Sequence, residues 1–274
     1  MRPINVLSID VEDVTHAIFR RGVVSSWMPS TIRYVLDLLA KYHAEATFFI
    51  VGEIVERFPE IADIIKEEGH EVAFHSFYHT PLWRMKPDEL AVELRAFKRL
   101  VGDFIGFRAP MFSLDNRSKW AIKVLENEGI KYDSSVVPAE TIFYGIPKAP
   151  LMPYRPSYSD VGCPGEARLY EFPLLIYEVK GLIKLPCHGG FFLRITPLNI
   201  IRKAIKRYNR QGLAGVIFIH TWELDTRTPC ISTRPFDILT TRVGLKQGTK
   251  RLKQLLREFK FSSFEYYMDF SGWL

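Results

Sequence analysis

Cysteine is scarce. Cys163, Cys187 and Cys230 are the three in 274 residues, too few and too scattered for a disulfide framework or a thiolate zinc site. A reducing, cytoplasmic setting is therefore the expectation. No run approaches the ~18 continuous apolar residues of a membrane span. Met1-Arg-Pro leads into a short strand with no long apolar region or small-residue cleavage site, so no secretory signal is expected. No internal repeat or low-complexity tract appears. What remains is an ordinary globular composition, 47% hydrophobic and 25% charged. The length suits a single α/β barrel domain over 1–274 with a sizeable core. The net charge of +6 comes partly from Arg202-Lys203-Ala-Ile-Lys206-Arg207 and from Lys246 to Lys260. Apolar residues at helical spacing interrupt both runs, so they read first as solvated helix faces, with contact to anionic lipid or sugar phosphate as the alternative and no nucleic-acid partner expected.

Ile4 to Ile9 is a nearly continuous apolar run suited to a strand buried on both faces. It ends in Asp10-Val-Glu12-Asp13, and carboxylates at the end of a buried strand need partners. Thr31 to Tyr42 carries Ile32, Val35, Leu36 and Leu39 on one helical face, with Ser30 or Thr31 as N-cap. Strands are expected at Ala46 to Val51, Glu71 to Phe74, Phe104 to Phe107 and Ile130 to Val136. Helices alternate with them at Ile54 to Glu68 (interrupted at Pro59), Asp88 to Leu100 and Ser118 to Glu128. This alternation argues for βα units and a parallel sheet. From about 137 to 186 the rhythm breaks, and prolines at 138, 147, 150, 153, 156, 164 and 173 mark a loop-rich insertion over one face. Leu198 to Tyr208 resumes a helix, Ala214 to Ile219 is a strand ending at His220, and Val243 to Phe259 is a last helix before an aromatic tail.

The chemistry-capable residues fall at the C-terminal ends of these strands: Asp10, Glu12 and Asp13; His75 and His79; Arg108; Asp133; His220. In parallel α/β barrels that face carries the active site, because its loops vary while the barrel holds them. Two imidazoles spaced as His75 and His79 are can converge on one Zn²⁺, leaving room for a carboxylate and a water.

Five blocks recur in order: Asp10-Val-Glu12-Asp13, His75-Ser-Phe-Tyr-His79, Arg108-Ala-Pro110, Asp133-Ser-Ser and Ile217-Phe-Ile-His220. Their order resembles the polysaccharide deacetylase family, the chitooligosaccharide deacetylase-like enzymes of carbohydrate esterase family 4. The resemblance covers roughly Asn5 to Asp225 apart from the insertion. It implies a distorted (β/α)₇ barrel and a metal-dependent hydrolase acting on an N-acetylated carbohydrate, with Zn²⁺ or another divalent ion such as Co²⁺. It implies His75, His79 and one acid as metal ligands, Asp10 as general base, and Arg108 as the residue orienting Asp10. The oxyanion would meet the metal and the backbone N–H of Met111, and His220 would protonate the leaving amine. Asp133 would hold His220 or help orient Arg108.

The chain departs from the family pattern at the acidic pair, where Asp-Val-Glu-Asp replaces adjacent aspartates and glycine. Strand alternation puts Glu12 on the side of Asp10, while a turn at Val11 would bring Asp13 round, so both stand as candidate ligands. Trp222 and Glu223 resemble sugar-site residues of a branch linked with surface polysaccharides, with Trp222 stacking on a pyranose ring. His188 is expected to be structural, and Trp83 is a candidate wall residue. Two other functions fit such a barrel: hydrolysis of a cyclic amide or other C–N bond, and carbohydrate binding without catalysis. The sequence names no partner protein and no oligomeric state.

Overall fold

The computed structural model describes residues 3–19, 24–179, 181–225 and 227–273. β1 (Ile4–Val11) is buried along nearly its whole length, as an apolar run flanked by neighbours on both edges must be. A short helix, α1 (Val14–Phe19), follows it. Helix α2 (Met28–Lys41) starts before the expected Thr31, because Pro29 fits the first turn, where its missing N–H costs nothing. Ser30 and Thr31 do not cap it; their hydroxyls turn back onto the Trp27 carbonyl. After β2 (Thr47–Ile50), Pro59 separates α3 (Gly52–Arg57) from α4 (Glu60–Glu67). Next come β3 (Glu71–Phe74), α5 (Pro87–Val101), β4 (Gly106–Phe107), α6 (Ala121–Asn127) and β5 (Tyr132–Asp133).

The stretch expected as an insertion is partly barrel wall. Its β6 (Tyr170–Glu171) pairs in parallel with β5, Asp133 beside Glu171. Short two-residue strands carry too little periodicity to stand out among prolines, which is why the sequence hid this one. The same stretch forms an antiparallel hairpin of β7 (Ile176–Val179) and β8 (Ile183–Pro186). Helices α7 (Gly190–Ile195) and α8 (Leu198–Arg210) lead to β9 (Val216–His220) and α9 (Thr221–Leu224). The chain continues through α10 (Pro235–Arg242), α11 (Leu245–Glu258) and β10 (Lys260–Ser262). The aromatic tail is a further helix, α12 (Phe264–Phe270), capped where Ser263 Oγ accepts from the Tyr266 N–H at 3.2 Å. Phe264 packs edge-on against Phe49 and Phe172.

The main sheet runs β10-β1-β2-β3-β4-β5-β6, with β9 on the other edge of β1 and every pairing parallel. Extended chain bridges the gap from β6 to β9: Leu175 N–H donates to Val216 O at 3.0 Å, and Phe218 N–H to His188 O at 2.7 Å. The result is the distorted (β/α)₇ barrel that the sequence led us to expect. Register places Asp10 beside His220 and Val11 beside Ile50, so the strand ends gather on one face. Among the described residues, no helix is long and apolar enough to cross a membrane.

Candidate active site

Arg108 lies just beyond β4 and has no exposed surface. A buried guanidinium is tolerated only when its donors are used, and these are. Nη1 donates to Asp10 Oδ1 and to Ser8 Oγ, both at 2.7 Å. Nε donates to Ser134 O at 2.8 Å and Nη2 to Ser134 Oγ at 2.9 Å. The Phe49 ring, its centroid 4.2 Å from Cζ, covers one face of the fork. Ser8 and Asp10 share a face of β1 by strand alternation, so one arginine grips both.

Alternation carries on to Glu12, which converges with His75 and His79. Its Oε2 lies 2.6 Å from His79 Nε2 and 3.9 Å from His75 Nε2. One ligand atom from each of the three lies within 4.8 Å of the others, and all three are buried. Trp222 Nε1–H steadies the other carboxylate oxygen at 3.0 Å. Burial pushes the Glu12 carboxyl up, but the facing His79, His220 and His75 outweigh it and hold the group well below the usual carboxylate range. Burial brings His75 down to about 4, so its ring is neutral at physiological pH. His75 Nδ1 donates to Arg108 O at 2.8 Å, which leaves the Nε2 lone pair facing the cluster. His79 sits in the left-handed region at φ 54°, which turns its ring toward Glu12. A buried carboxylate oxygen with no hydrogen-bond partner, facing imidazole nitrogens, fits a Zn²⁺-like cation.

Asp13, the alternative ligand, points elsewhere. Its Oδ1 accepts from the Thr15 N–H at 3.2 Å and its Oδ2 from the Ser25 N–H at 3.1 Å, so it anchors the start of α1. The turn after Val11 carries it away from the histidines instead of toward them.

His220 closes the cluster at the end of β9. Its Nε2 is 3.6 Å from Glu12 Oε1, and its Nδ1 meets Glu223 Oε2 at 2.8 Å. Burial pulls its pKa down, yet the Glu12 and Glu223 carboxylates prevail and raise it to about 9. Glu223 in turn contacts Arg194 Nε at 2.8 Å. Glu223, expected at the sugar site, lies one turn along α9 from His220, buried against that histidine's inner nitrogen and outside the cleft lining. Trp222 does line the cleft, with its ring stacked on His220 (centroids 5.1 Å, 16°) and its N–H donated to Glu12.

Asp133 holds neither His220 nor Arg108 by a hydrogen bond. It accepts from Ser135 Oγ at 2.7 Å, and Ser135 Oγ accepts from the Ala109 N–H at 2.8 Å. Its partner on the neighbouring strand is Glu171. Burial raises both carboxyls, and Glu171, facing Asp133, keeps the proton. Asp133 thus braces the Arg108–Pro110 loop from below. Beyond Pro110, Met111 and Phe112 both have positive φ, 56° and 50°, a bend that brings Met111 to the cleft.

The cleft above these groups has a volume of about 350 Å³. Asp10, Glu12, His75, His79 and His220 line its floor, and Phe112, Phe143, Tyr144, Phe191 and Phe236 its walls. Trp83 lines an adjoining depression that shares Phe112, Phe143 and Tyr144 with the cleft, and the Arg117 guanidinium lies 4.6 Å from its ring. His188 is buried, stacked on Phe218, and held neutral by burial and by Arg108, with a pKa near 3. The wall aromatics and Arg194 escaped sequence reasoning. The doublets Phe143-Tyr144, early in the proline-rich stretch, and Phe191-Phe192, just beyond it, were a usable signal for the walls. The arrangement sets an arginine-held carboxylate, a histidine paired with a buried carboxylate and a Glu-His-His cluster around one small polar floor.

Residues 18–130 match the family model described as polysaccharide deacetylase, and residues 134–269 match one described as a domain of unknown function (DUF3473). A peptidoglycan-N-acetylglucosamine deacetylase of Bacillus cereus is 33% identical over 94 residues, 32% of this chain and 34% of that protein. A peptidoglycan deacetylase of Helicobacter pylori is 27% identical over 175 residues, 62% of this chain and 56% of that protein. A chitooligosaccharide deacetylase of Bradyrhizobium is 39% identical over 67 residues, covering 24% and 31%. The chain therefore spans from under a third to just over half the length of these relatives. A crystal structure of a Mycobacterium smegmatis protein named for the polysaccharide deacetylases superposes with a TM-score of 0.57 at 18% identity, covering 98% of this chain and 93% of that one, and shares the fold.

Proposed function

The chain belongs to the polysaccharide deacetylase family, and on that footing we propose that it hydrolyses the N-acetyl amide of an N-acetylated sugar. The substrate would be a polysaccharide, an oligosaccharide or a precursor, and the cofactor Zn²⁺ held by Glu12, His75 and His79. The observation that carries this reading is the convergence of those three side chains beside the paired ends of β1 and β9, which bear Asp10 and His220. A bound divalent ion supplies Lewis acidity and a more acidic water at such a site.

The remaining work falls to the chain's own groups. Asp10, fixed by Arg108 at 2.7 Å, is the base that takes a proton from the attacking water. The backbone N–H of Met111, in a loop pinned through Ala109 and Ser135, donates to the oxygen that gains charge as the carbonyl carbon becomes tetrahedral. An amide nitrogen leaves only when protonated. His220, its Nδ1 held by Glu223 at 2.8 Å, carries the Nε2 proton that it delivers as the C–N bond breaks, freeing acetate and the amino sugar. The aromatic walls exclude water and offer flat apolar faces to the C–H faces of a pyranose.

The test is metal content by mass spectrometry, together with acetate release from N-acetyl-chitooligosaccharides and peptidoglycan fragments. The expected result is about one Zn²⁺ per chain, with both metal and acetate release lost in a His75→Ala/His79→Ala variant. A wild type that takes up neither Zn²⁺ nor Co²⁺ would sink the proposal. If such a protein still bound the sugars, the non-catalytic reading would replace it.

A further inference from the structure

We propose that Arg194, seated in a cradle of two glycines on and beside α11, is the positioning residue for the acid histidine and acts through Glu223. This rests on the reading of His220 as the group that protonates the leaving amine. His220 presents Nε2 to the cleft floor, and Glu223 Oε2 takes up its Nδ1 at 2.8 Å. The other oxygen of Glu223 lies 2.8 Å from Arg194 Nε, and both side chains are 1% exposed. The carboxylate therefore sits between two cationic partners and fixes the ring of the first.

Arg194 is itself tied down on its other side. Nη1 donates to Val243 O at 2.8 Å and Nη2 to Thr240 O, carbonyls at the C-terminal end of α10 that no further helical turn satisfies. One guanidinium thus joins the acid to the helix that contributes Phe236, Thr240 and Thr241 to the cleft. The surrounding chain is shaped to admit it. A Cβ at Gly248, inside α11, would come within 2.9 Å of Arg194 Cγ, and one at Gly244 within 3.0 Å of Arg194 Cβ. Glycine within a helix is less stable than alanine, so Gly248 is explained by the side chain it accommodates. Arg194, Glu223 and both glycines lie within residues 134–269, whose matching family has no assigned function. The relay gives that half of the chain a role: it holds the acid that completes a site whose base and cation ligands come from the other half.

A purely structural Arg194, capping α10 and nothing more, would affect all substrates alike. Leaving groups separate the two roles, because 4-nitrophenolate departs without protonation and an amide nitrogen does not. In Arg194→Met and Glu223→Gln, kcat on N-acetyl-chitooligosaccharides should fall about 10–100-fold, with a loss on 4-nitrophenyl acetate roughly tenfold smaller. Gly248→Ala, which adds a helix former outside the cleft, should produce the same split by displacing the Arg194 stem. Equal losses on both substrates, or no loss on the amide, would overturn the proposal. A second readout needs no turnover: the downfield proton resonance of His220 Nδ1–H, assigned by its disappearance in His220→Gln. It should vanish in Glu223→Gln and move in Arg194→Met while the rest of the spectrum stays dispersed; an unmoved signal refutes the relay. A wild type that hydrolyses neither substrate would remove the acid role, and the resonance would still decide whether Arg194 and Glu223 position the ring.

Discussion

Replacing Glu71 by Gln should stabilise the protein, and by an amount that grows with pH. Glu71 opens β3 at the end of the barrel away from the cleft, and it is buried. Its Oε1 accepts from Tyr132 OH at 2.7 Å, and its Oε2 accepts from Thr47 Oγ1 at 2.5 Å and from the Glu265 N–H at 3.0 Å. Burial dominates those hydrogen bonds and raises its pKa from 4.5 to about 7. Between these two values the unfolded chain gives up its proton while the folded one keeps it. The stability contributed is therefore full below pH 4.5 and is lost as pH rises through 7. At about 1.4 kcal/mol for each pH unit, the loss comes to about 3 kcal/mol. Glutamine stays neutral, and its amide can turn so that the oxygen accepts from Thr47 and Glu265 while the NH₂ donates to the Tyr132 oxygen. Urea unfolding at fixed m-value, repeated from pH 4.5 to 8, measures the difference between variant and wild type. All other titrating groups are common to the two and cancel. A difference that stays flat across this window, or one that favours the wild type increasingly at high pH, would refute the reasoning.

Three further outcomes follow from the site. Glu12→Gln should weaken Zn²⁺ binding by about 100-fold or more, whereas Asp13→Asn should leave it within a few-fold, as measured by competition with a chromogenic chelator. Trp222→Phe keeps a ring against His220 but removes the N–H that steadies Glu12; metal affinity should drop roughly tenfold with KM for oligosaccharides unchanged, and a raised KM would restore the sugar-stacking role. Ser135→Ala strands the buried Ala109 N–H and should cost about 1–3 kcal/mol in denaturant unfolding, together with a fall in kcat larger than any change in KM.

The fold was legible because its signal is repetitive. Each βα unit of the first half announces itself by an apolar run followed by an amphipathic helix, and polar groups at the strand ends mark the working face. Two-residue β6 was not legible, since neither Tyr170 nor Glu171 forms a period. Within the site, residues read by local rules came out in place: alternation along β1 sets Asp10 and Glu12 side by side, and Glu12 lies with His75 and His79. Asp133 misled for a physical reason. It stands at a strand end like the others, but its register partner is Glu171 on a strand hidden in the proline-rich stretch. Without that partner in view, a buried carboxylate that faces a protonated neighbour looks the same as one that serves catalysis.

Glu223 shows the converse. In sequence it is one acid shortly after a histidine, and the spacing suits either a sugar ligand or a helix-turn contact. What decides its role is Arg194, 29 positions earlier by residue number, which no local pattern connects to it. Desolvation makes the choice: a carboxylate this deeply buried must meet cations, and His220 and Arg194 are the two that face it. The site is therefore assembled in two ways. Asp10 and Glu12 lie at the end of β1 and His75 and His79 beyond β3, the first and third βα units of one half, which strand register brings to one face. The acid is set by packing between α7, α9 and α11, and its geometry depends on a methyl group that Gly248 lacks. Enlarging the cleft by varying the aromatic walls should leave the first assembly intact, while changes along α11 that never touch the cleft should disturb the second.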